Sequence, residues 1–293
     1  MPLFSVIIPS HARADLLARL LASLSAQTMK DFEAIVVDDA SPDSDAYDGV
    51  VDRFSRQLEL RYFRNARNSG AQVSRNRGVS ESRGAFLAFV DDDDEWLPGK
   101  LERQAALFSS ASPRVGLLYS WADGVDDQGR TVHRFRPLHR RNVLNALLES
   151  SFVPSPTVAV RRAALDASGL FDESLTSCQD WDMWTRIAAA GFEFDVTEEV
   201  LALYHMHGGA SIGSSPRSLH GYASFFAKHA GLYATAGMTG DLSEHYRGLA
   251  YRASASGNHD VAGAALRRSV ELWPGNWKAW VRYAQHLVRS RSR

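Results

Sequence analysis

An α/β domain followed by an all-helical extension is the architecture this sequence predicts, and three observations carry it. Short apolar, β-branched runs alternate with amphipathic segments of helical period up to Tyr204, the pattern of a mostly parallel sheet flanked by helices. Two of those runs end directly in acid: Phe32–Val37 leads into Asp38-Asp39, and Ala85–Val90 leads into Asp91-Asp92-Asp93-Asp94. From Ser215 onward the composition shifts to Ala, Arg, His and Ser with helical periodicity only. The expected organisation is therefore a domain over 1–215 and a helical extension over 216–293.

Each element has its own reason. Leu3–Ile8 is a β-branched strand stopped by Pro9-Ser10. Leu16, Leu17, Leu20, Leu21 and Leu24 then recur on one face of a helix from Asp15 to about Ala26. Phe32–Val37 is the second strand, Ala46–Arg56 a helix, and Leu58, Leu60 and Tyr62 alternate as a third strand. Asn68-Ser69-Gly70 opens a helix that closes near Gly84, and the fourth strand follows at Ala85–Val90. A helix is expected from Pro98 to Phe108, strands at Val115–Tyr119 and Ser155–Val160, and a hairpin turn at Asp126-Asp127-Gln128-Gly129. Arg161–Ser168 reads as a helix closed by Gly169. Trp181, Trp184, Ile187 and Ala188 share one helical face, and Val200–Tyr204 is the last strand.

Composition narrows the function. With 33 basic and 34 acidic residues the net charge is −1, so no nucleic-acid partner is implied by bulk charge. Basic clusters at Arg134–Arg141 and Arg289–Arg293 leave peripheral membrane contact open. The single Cys178 precludes an intramolecular disulfide and suits a reducing compartment. With no signal-like N-terminus and no apolar run of spanning length, a soluble cytoplasmic protein is expected.

Four adjacent carboxylates where a strand ends repel one another unless a cation or polar ligand offsets them. A divalent metal is one answer, because carboxylate oxygens are hard ligands for Mg²⁺ or Mn²⁺. A solvated acidic turn before the helix at Pro98 is the other. Acid at the ends of two strands of one sheet favours a ligand cleft at the carboxyl edge. Arg75, near a helix start, suits a polyphosphate. Asp180 stands at a helix mouth, as an N-cap or as a base. His205 and His207, two apart on a strand end, share a face as metal ligands do, and also as half-buried polar residues do.

In this order the segments resemble family 2 glycosyltransferases of the GT-A fold. The resemblance runs from about residue 3 to 215. It rests on Ile8-Pro9-Ser10, Val36 to Ser41, Asn68 to Gly78, Phe89 to Asp94 with Trp96-Leu97-Pro98 and Lys100-Leu101, Gly169 to Glu173, Gln179 to Asp182, and Tyr204 to Gly209. It implies transfer of a sugar, usually with inversion, from a UDP- or dTDP-sugar donor to a saccharide, lipid-linked or protein acceptor, with Mn²⁺ or Mg²⁺. Asp39 would read the donor base beside Pro9 and Ser10, with Arg75 near the diphosphate. Asp91-Asp92-Asp93 would be the D-x-D, with Asp91 facing the ribose or sugar, Asp92 in the same nucleotide-sugar site and Asp93 binding the metal, His207 would complete the metal's shell, and Asp180 would be the general base. Two positions depart from the family: His11-Ala12 replaces an aromatic-Asn pair, and Gln179 replaces the Glu before the base.

At an offset of 34 residues the tail pairs Tyr246 with Trp280, Leu249 with Tyr283, Ala250 with Ala284 and Ala253 with Leu287, all apolar, and so resembles a tetratricopeptide repeat. A plain helical hairpin is the alternative, and a helical tail also suits homo-oligomer formation. Two rivals for the whole chain are a sugar nucleotidyltransferase and a non-catalytic interaction protein. The first is disfavoured by Pro9-Ser10-His11-Ala12-Arg13, which lacks glycine, the second by retention of Asp39, the acidic cluster and Asp180 together.

Overall fold

A computed structural model describes residues 1–206 and 216–291. The chain divides into two compact units, Met1–Glu173 with Met183–Gly208, and Ser174–Asp182 with Gly209–Arg293.

The first unit is a mixed sheet with helices packed against it. Its strands are β1 (Phe4–Ser10), β2 (Phe32–Asp38), β3 (Glu59–Arg64), β4 (Phe86–Phe89), β5 (Glu95–Trp96), β6 (Val115–Val125), β7 (Thr131–Phe135), β8 (Ala159–Arg161) and β9 (Glu193–His205). The order is β3-β2-β1-β4-β8-β6-β9-β5, with β7 paired to β6. β3, β2, β1 and β4 run parallel, while β8 is antiparallel to both β4 and β6. Because β1 lies between β2 and β4, the chain reverses direction of travel across the sheet there, the place where open α/β sheets bind ligands. Register aligns the carboxyl ends: Ser10 pairs with Asp38 and Ile7 with Phe89.

The helices are α1 (Ala14–Ser25), α2 (Ser44–Phe54), α3 (Ala71–Glu81), α4 (Lys100–Ser110), α5 (Leu144–Glu149), α6 (Arg162–Ser168) and α7 (Gln179–Ala189), which is divided between the units at Asp182. Leu17, Leu20, Leu21 and Leu24 of α1 are fully buried in the core with Phe4, Val6, Ile8 and Val36. α3 sits close on β1 because residue 78 is glycine; a Cβ there would stand 2.5 Å from Ile7 Cγ2.

Most elements follow the expected pattern, and the differences have physical causes. α2 begins at Ser44 rather than Ala46, because the Asp43 carboxylate caps it by accepting from Ala46 N at 3.1 Å. The expected strand over Ser155–Val160 is a 3₁₀ turn at Ser155–Thr157 followed by β8; Pro156 has no N–H for a ladder. β9 starts at Glu193 rather than Val200, its first half disguised by Glu193, Asp195, Thr197 and Glu198.

Glu33 shows how the sheet tolerates a buried charge. Ser5 Oγ and Arg83 N each donate to Oε1 at 2.7 Å, and Arg83 Nε and Nη2 donate to Oε2 at 3.0 and 2.8 Å. Burial alone would raise its pKa, but the hydrogen bonds from Ser5 and Arg83 more than offset this and hold it below the usual carboxylate value. A depressed folded pKa stabilises the protein above the unfolded pKa, and that contribution is lost as pH falls through the folded value. Glu33→Gln should therefore lower stability by about 2–4 kcal/mol in neutral solution and flatten the acid limb of the stability profile. Urea unfolding across the range from about pH 7 to about pH 3 checks both.

In the second unit, α8 (Pro216–Thr235), α9 (Thr239–Ala255), α10 (His259–Leu272) and α11 (Trp277–Arg291) follow one another with short turns, Gly257 taking φ 78 between α9 and α10. Ser174–Asp182 belongs here because its side chains pack on α8. Trp181 stacks on Phe225 at 3.8 Å between ring centroids, and fully buried Asp182 accepts from Lys228 Nζ and His229 Nε2, each at 2.8 Å. Among the described residues no helix is long and apolar enough to cross a membrane.

Candidate active site

The carboxyl ends of β1, β2 and β4 bring Ser10, Asp39 and the Asp91–Asp94 run together. Asp39 N donates to Ser10 O at 2.8 Å and Val90 N to Ile7 O at 3.2 Å, continuing the ladders into the loops. Those loops interlock. His11 Nδ1 lies 2.9 Å from Asp39 O, and Ala12 N donates to Ser41 Oγ at 2.8 Å. Both Ala12 and Ala40 adopt positive φ, 55° and 58°, a conformation costing an L-residue about 1 kcal/mol or more and tending to cluster at functional sites.

The first acidic pair divides its labour. Asp38 is fully buried and structural: its carboxylate accepts from Ser41 N and Oγ and from Tyr62 OH, and pairs with Arg64. Asp39 holds the start of α3. Its Oδ1 accepts from Asn65 Nδ2 at 2.8 Å and Ser69 N at 3.0 Å, and its Oδ2 from Ser69 N at 3.0 Å and Gly70 N at 2.7 Å. Gly70 takes φ 97, a left-handed conformation that glycine reaches without strain. Pro9 is buried within β1 opposite Val37.

The second acidic run divides in the same way. The Asp91 and Asp93 side chains retain 34% and 19% of their exposure and are paired with arginine, Asp91 with Arg75 and Asp93 with Arg13 at 2.7 Å. Arg75 is itself buried, lies over the Phe171 ring at 5.6 Å, and has its Nε without a hydrogen-bond partner. Asp92 and Asp94 point inward. Asp92 accepts from Ser10 Oγ at 2.6 Å and Arg13 Nη1 at 3.3 Å, and Ser10 Oγ also lies 2.7 Å from Tyr47 OH. Burial pushes the Asp92 pKa up to about 6, against the Ser10 hydrogen bond and Arg13, with Asp93 and Asp91 adding to the rise. Burial and the neighbouring carboxylates raise the Asp94 pKa well above the usual carboxylate value; its Oδ1 accepts from His205 N, while Oδ2 is buried with no partner.

This surplus of negative charge suits a hard cation. Among the described residues no three His, Cys, Asp or Glu side chains form a cage for a metal. Asp91 and Asp93, as the more exposed carboxylates, suit instead an ion that brings diphosphate oxygens and waters with it, as Mg²⁺ and Mn²⁺ commonly do. His207, the other expected ligand, lies outside the described residues. Its neighbour His205 directs Nε2 to Glu95 Oε1 at 2.8 Å.

Asp180 lies in the second unit, in the first turn of α7 rather than at its N-cap position, which Cys178 occupies. Its Oδ1 accepts from Trp181 N at 2.8 Å and the residue is half-buried. Cys178 takes φ 61, and burial pushes its thiol up to about 11, so it is no nucleophile at neutral pH. Glu173 is exposed, and its Oε1 accepts from Asn76 Nδ2 at 2.9 Å. Arg13, Tyr47 and Asn65 join the site only through the fold; of the three, Arg13 leaves the clearest trace in the sequence, as a lone cation in the loop after β1.

The Glycosyl transferase family 2 model matches residues 5–169. An uncharacterised glycosyltransferase of Methanocaldococcus jannaschii is 29% identical over 208 residues, 70% of this chain and 71% of that one. WcaA of Escherichia coli, assigned to colanic acid biosynthesis, is 28% identical over 239 residues, 78% and 81% of the two chains. AmsB of Erwinia amylovora, an amylovoran biosynthesis glycosyltransferase, is 29% identical over 212 residues, 69% of each. Among solved structures, S. aureus TarS superposes over 94% of this chain with a TM-score of 0.72 at 22% identity, and this chain spans 50% of that one. The mannosyltransferase PcManGT of Pyrobaculum calidifontis, in complex with GDP-Man and Mn²⁺, gives a TM-score of 0.60 at 20% identity over 98% and 85% of the chains. With more than half its length matched by the family model, and with the GT-A sheet carrying its acidic loops at the point where β1 parts β2 from β4, this chain belongs to glycosyl transferase family 2.

Proposed function

We propose that the chain is an inverting transferase that moves a sugar from a nucleoside diphosphate donor, a UDP- or dTDP-sugar, to an acceptor hydroxyl in cell-surface polysaccharide or glycoconjugate synthesis. The observation carrying this reading is the convergence of Asp39, Asp91, Asp93, Arg13 and Arg75 at the carboxyl ends of three parallel strands. The names of WcaA and AmsB support the polysaccharide setting. TarS has been solved with UDP-GlcNAc and PcManGT with GDP-Man and Mn²⁺, which supports a nucleotide-sugar in this fold without fixing its base.

In this reading the acceptor oxygen attacks the anomeric carbon, the bond from that carbon to the diphosphate oxygen breaks, and the acceptor proton passes to the Asp180 carboxylate. Arg13 and Arg75 change partners from Asp93 and Asp91 toward the phosphates, exchanging one charge-assisted bond for another. Asp92, bonded to Ser10, braces the loop after β1 against the acidic run. Mn²⁺ or Mg²⁺ held by Asp93, with Asp91 beside it and His207 completing the shell, would supply Lewis-acid stabilisation of the charge developing on the leaving diphosphate. We place the catalytic machinery on 1–215 and a tetratricopeptide-like module on 216–293, working at the cytoplasmic side of the membrane.

Incubation with radiolabelled nucleotide-sugars and lipid-linked or saccharide acceptors tests the reaction; failure of uridine and thymidine donors both to transfer and to raise the melting temperature overturns it. Asp39 gives a sharper test of the base assignment. Its four accepted hydrogen bonds mean that an imide N–H would displace one of the two from Ser69 N. Asp39→Ala should weaken UDP about tenfold to a hundredfold and erase selectivity for UDP over GDP. If calorimetry finds UDP and GDP affinities falling together, Asp39 only holds the loop at Ser69-Gly70.

A further inference from the structure

α11 carries two apolar faces. One packs on α10: Ala279 is fully buried, Tyr283 OH accepts from Arg267 Nε at 3.5 Å, and the His286 ring lies against Gly263. The other points outward, with Trp277 67% exposed and Trp280 and Val281 each 48% exposed. Spacing of i, i+3 and i+4 makes these one stripe, and Trp273 in the turn before the helix is 51% exposed beside it. Of the α9 residues that stand 34 positions before Trp277, Trp280 and Val281, Ser243 and Tyr246 are buried and Arg247 is half-buried. The turn is braced, since Trp280 Nε1 donates to Pro274 O at 2.9 Å.

The charges that α11 itself carries are of one sign; Glu244 of α9, which accepts from Asn276 Nδ2 at 2.9 Å and lies near Lys278, is paired with Arg247. Lys278 and Arg282 are exposed and one turn apart, and Arg282 lies 5.1 Å over the ring of Tyr251, itself exposed. From Lys278 to residue 293 there are five Lys or Arg and no Asp or Glu. We propose that this face of α11 docks on an anionic membrane surface, with Trp273, Trp277, Trp280 and Val281 entering the boundary between headgroups and acyl chains and Lys278 and Arg282 pairing with lipid phosphates. A basic helix with tryptophan on its apolar side suits that interface, where indole places its N–H among polar groups and its rings among acyl carbons. A second copy fits less well, because it would set two acid-free basic helices against each other. The docking does not depend on the identity of donor or acceptor.

Flotation of the full chain with vesicles tests the proposal. Binding is expected to phosphatidylglycerol-containing vesicles and not to pure phosphatidylcholine, with release when NaCl is raised from about 0.1 to about 0.5 M. Lys278→Glu with Arg282→Glu should lower partitioning on the order of thirtyfold. Trp277→Ser with Val281→Ser should lower it on the order of tenfold, with helix content by circular dichroism unchanged in both variants. Absence of binding to anionic vesicles, or equal binding to neutral ones, overturns the proposal. So does a dimer in sedimentation velocity that Trp277→Ser dissociates, which would assign the face to a second copy of the chain.

Discussion

Asp93→Asn should abolish most of the metal dependence of donor binding while leaving the protein as stable as before. Asp93 is one of the two carboxylates of the acidic run that keep a sizeable exposed surface, and its ion-pair partner Arg13 is half-exposed at 49%. Losing that pair costs little in stability, about 0–1 kcal/mol, because water screens it and Arg13 keeps Asp92. The effect on ligand binding is of another order. An amide oxygen carries no formal charge, so a divalent ion loses its anionic protein ligand and the diphosphate loses its bridge to the chain, which should weaken UDP on the order of a hundredfold in Mn²⁺. In chelator the variant and the wild type should bind UDP about equally. Calorimetric titration in the two buffers separates the effects. Wild-type binding that is indifferent to Mn²⁺, or a variant that keeps full Mn²⁺-dependent affinity, removes Asp93 from the metal's shell.

The acidic runs also show how far sequence reasoning reached. Apolar runs and helical periodicity were sufficient for β1, β2 and β4 and for the leucine face of α1, because a parallel strand buried on both faces and an amphipathic helix each leave a strong local signal. Asp91 to Asp94 was legible as a cluster, but its division into two outward and two inward carboxylates depends on what lies beneath. Ser10 and Tyr47 stand under Asp92, and the backbone of His205 meets Asp94. The same holds for Asp38 and Asp39, neighbours in the chain that face Tyr62 and the Ser69-Gly70 loop respectively. Arg13 escaped notice as a site residue because its role arises from a contact 80 positions away. Polar strand segments were misread for a related reason: Glu193–Thr197 pairs through backbone with β6 at a partly solvated edge, where side-chain pattern says little. The packing of Ser174–Asp182 with the helical unit was equally out of reach, since it rests on Trp181 meeting Phe225 and on Asp182 meeting Lys228 and His229.

That packing bears on the residue with the largest expected kinetic effect. Asp180→Asn should lower turnover by about 10²–10⁴-fold while leaving UDP and Mn²⁺ affinity nearly unchanged, since in the role proposed for it the carboxylate serves only proton abstraction from the acceptor. The substitution is conservative for the fold. Asn retains the Oδ1 that accepts from Trp181 N, and Trp181 stays stacked on Phe225. Because the interaction is made only as the acceptor loses its proton, kcat and kcat/KM should fall by the same factor with little change in KM for donor. A purely structural Asp180 would instead change the melting temperature and KM. If Asp180→Asn keeps near-wild-type transfer, Asp182 cannot take over, because it is fully buried between Lys228 and His229. Glu173 is then the next residue to test, being exposed and holding a single hydrogen bond from the Asn76 side chain on Oε1, and Glu173→Gln would have to produce the loss that Asp180→Asn did not.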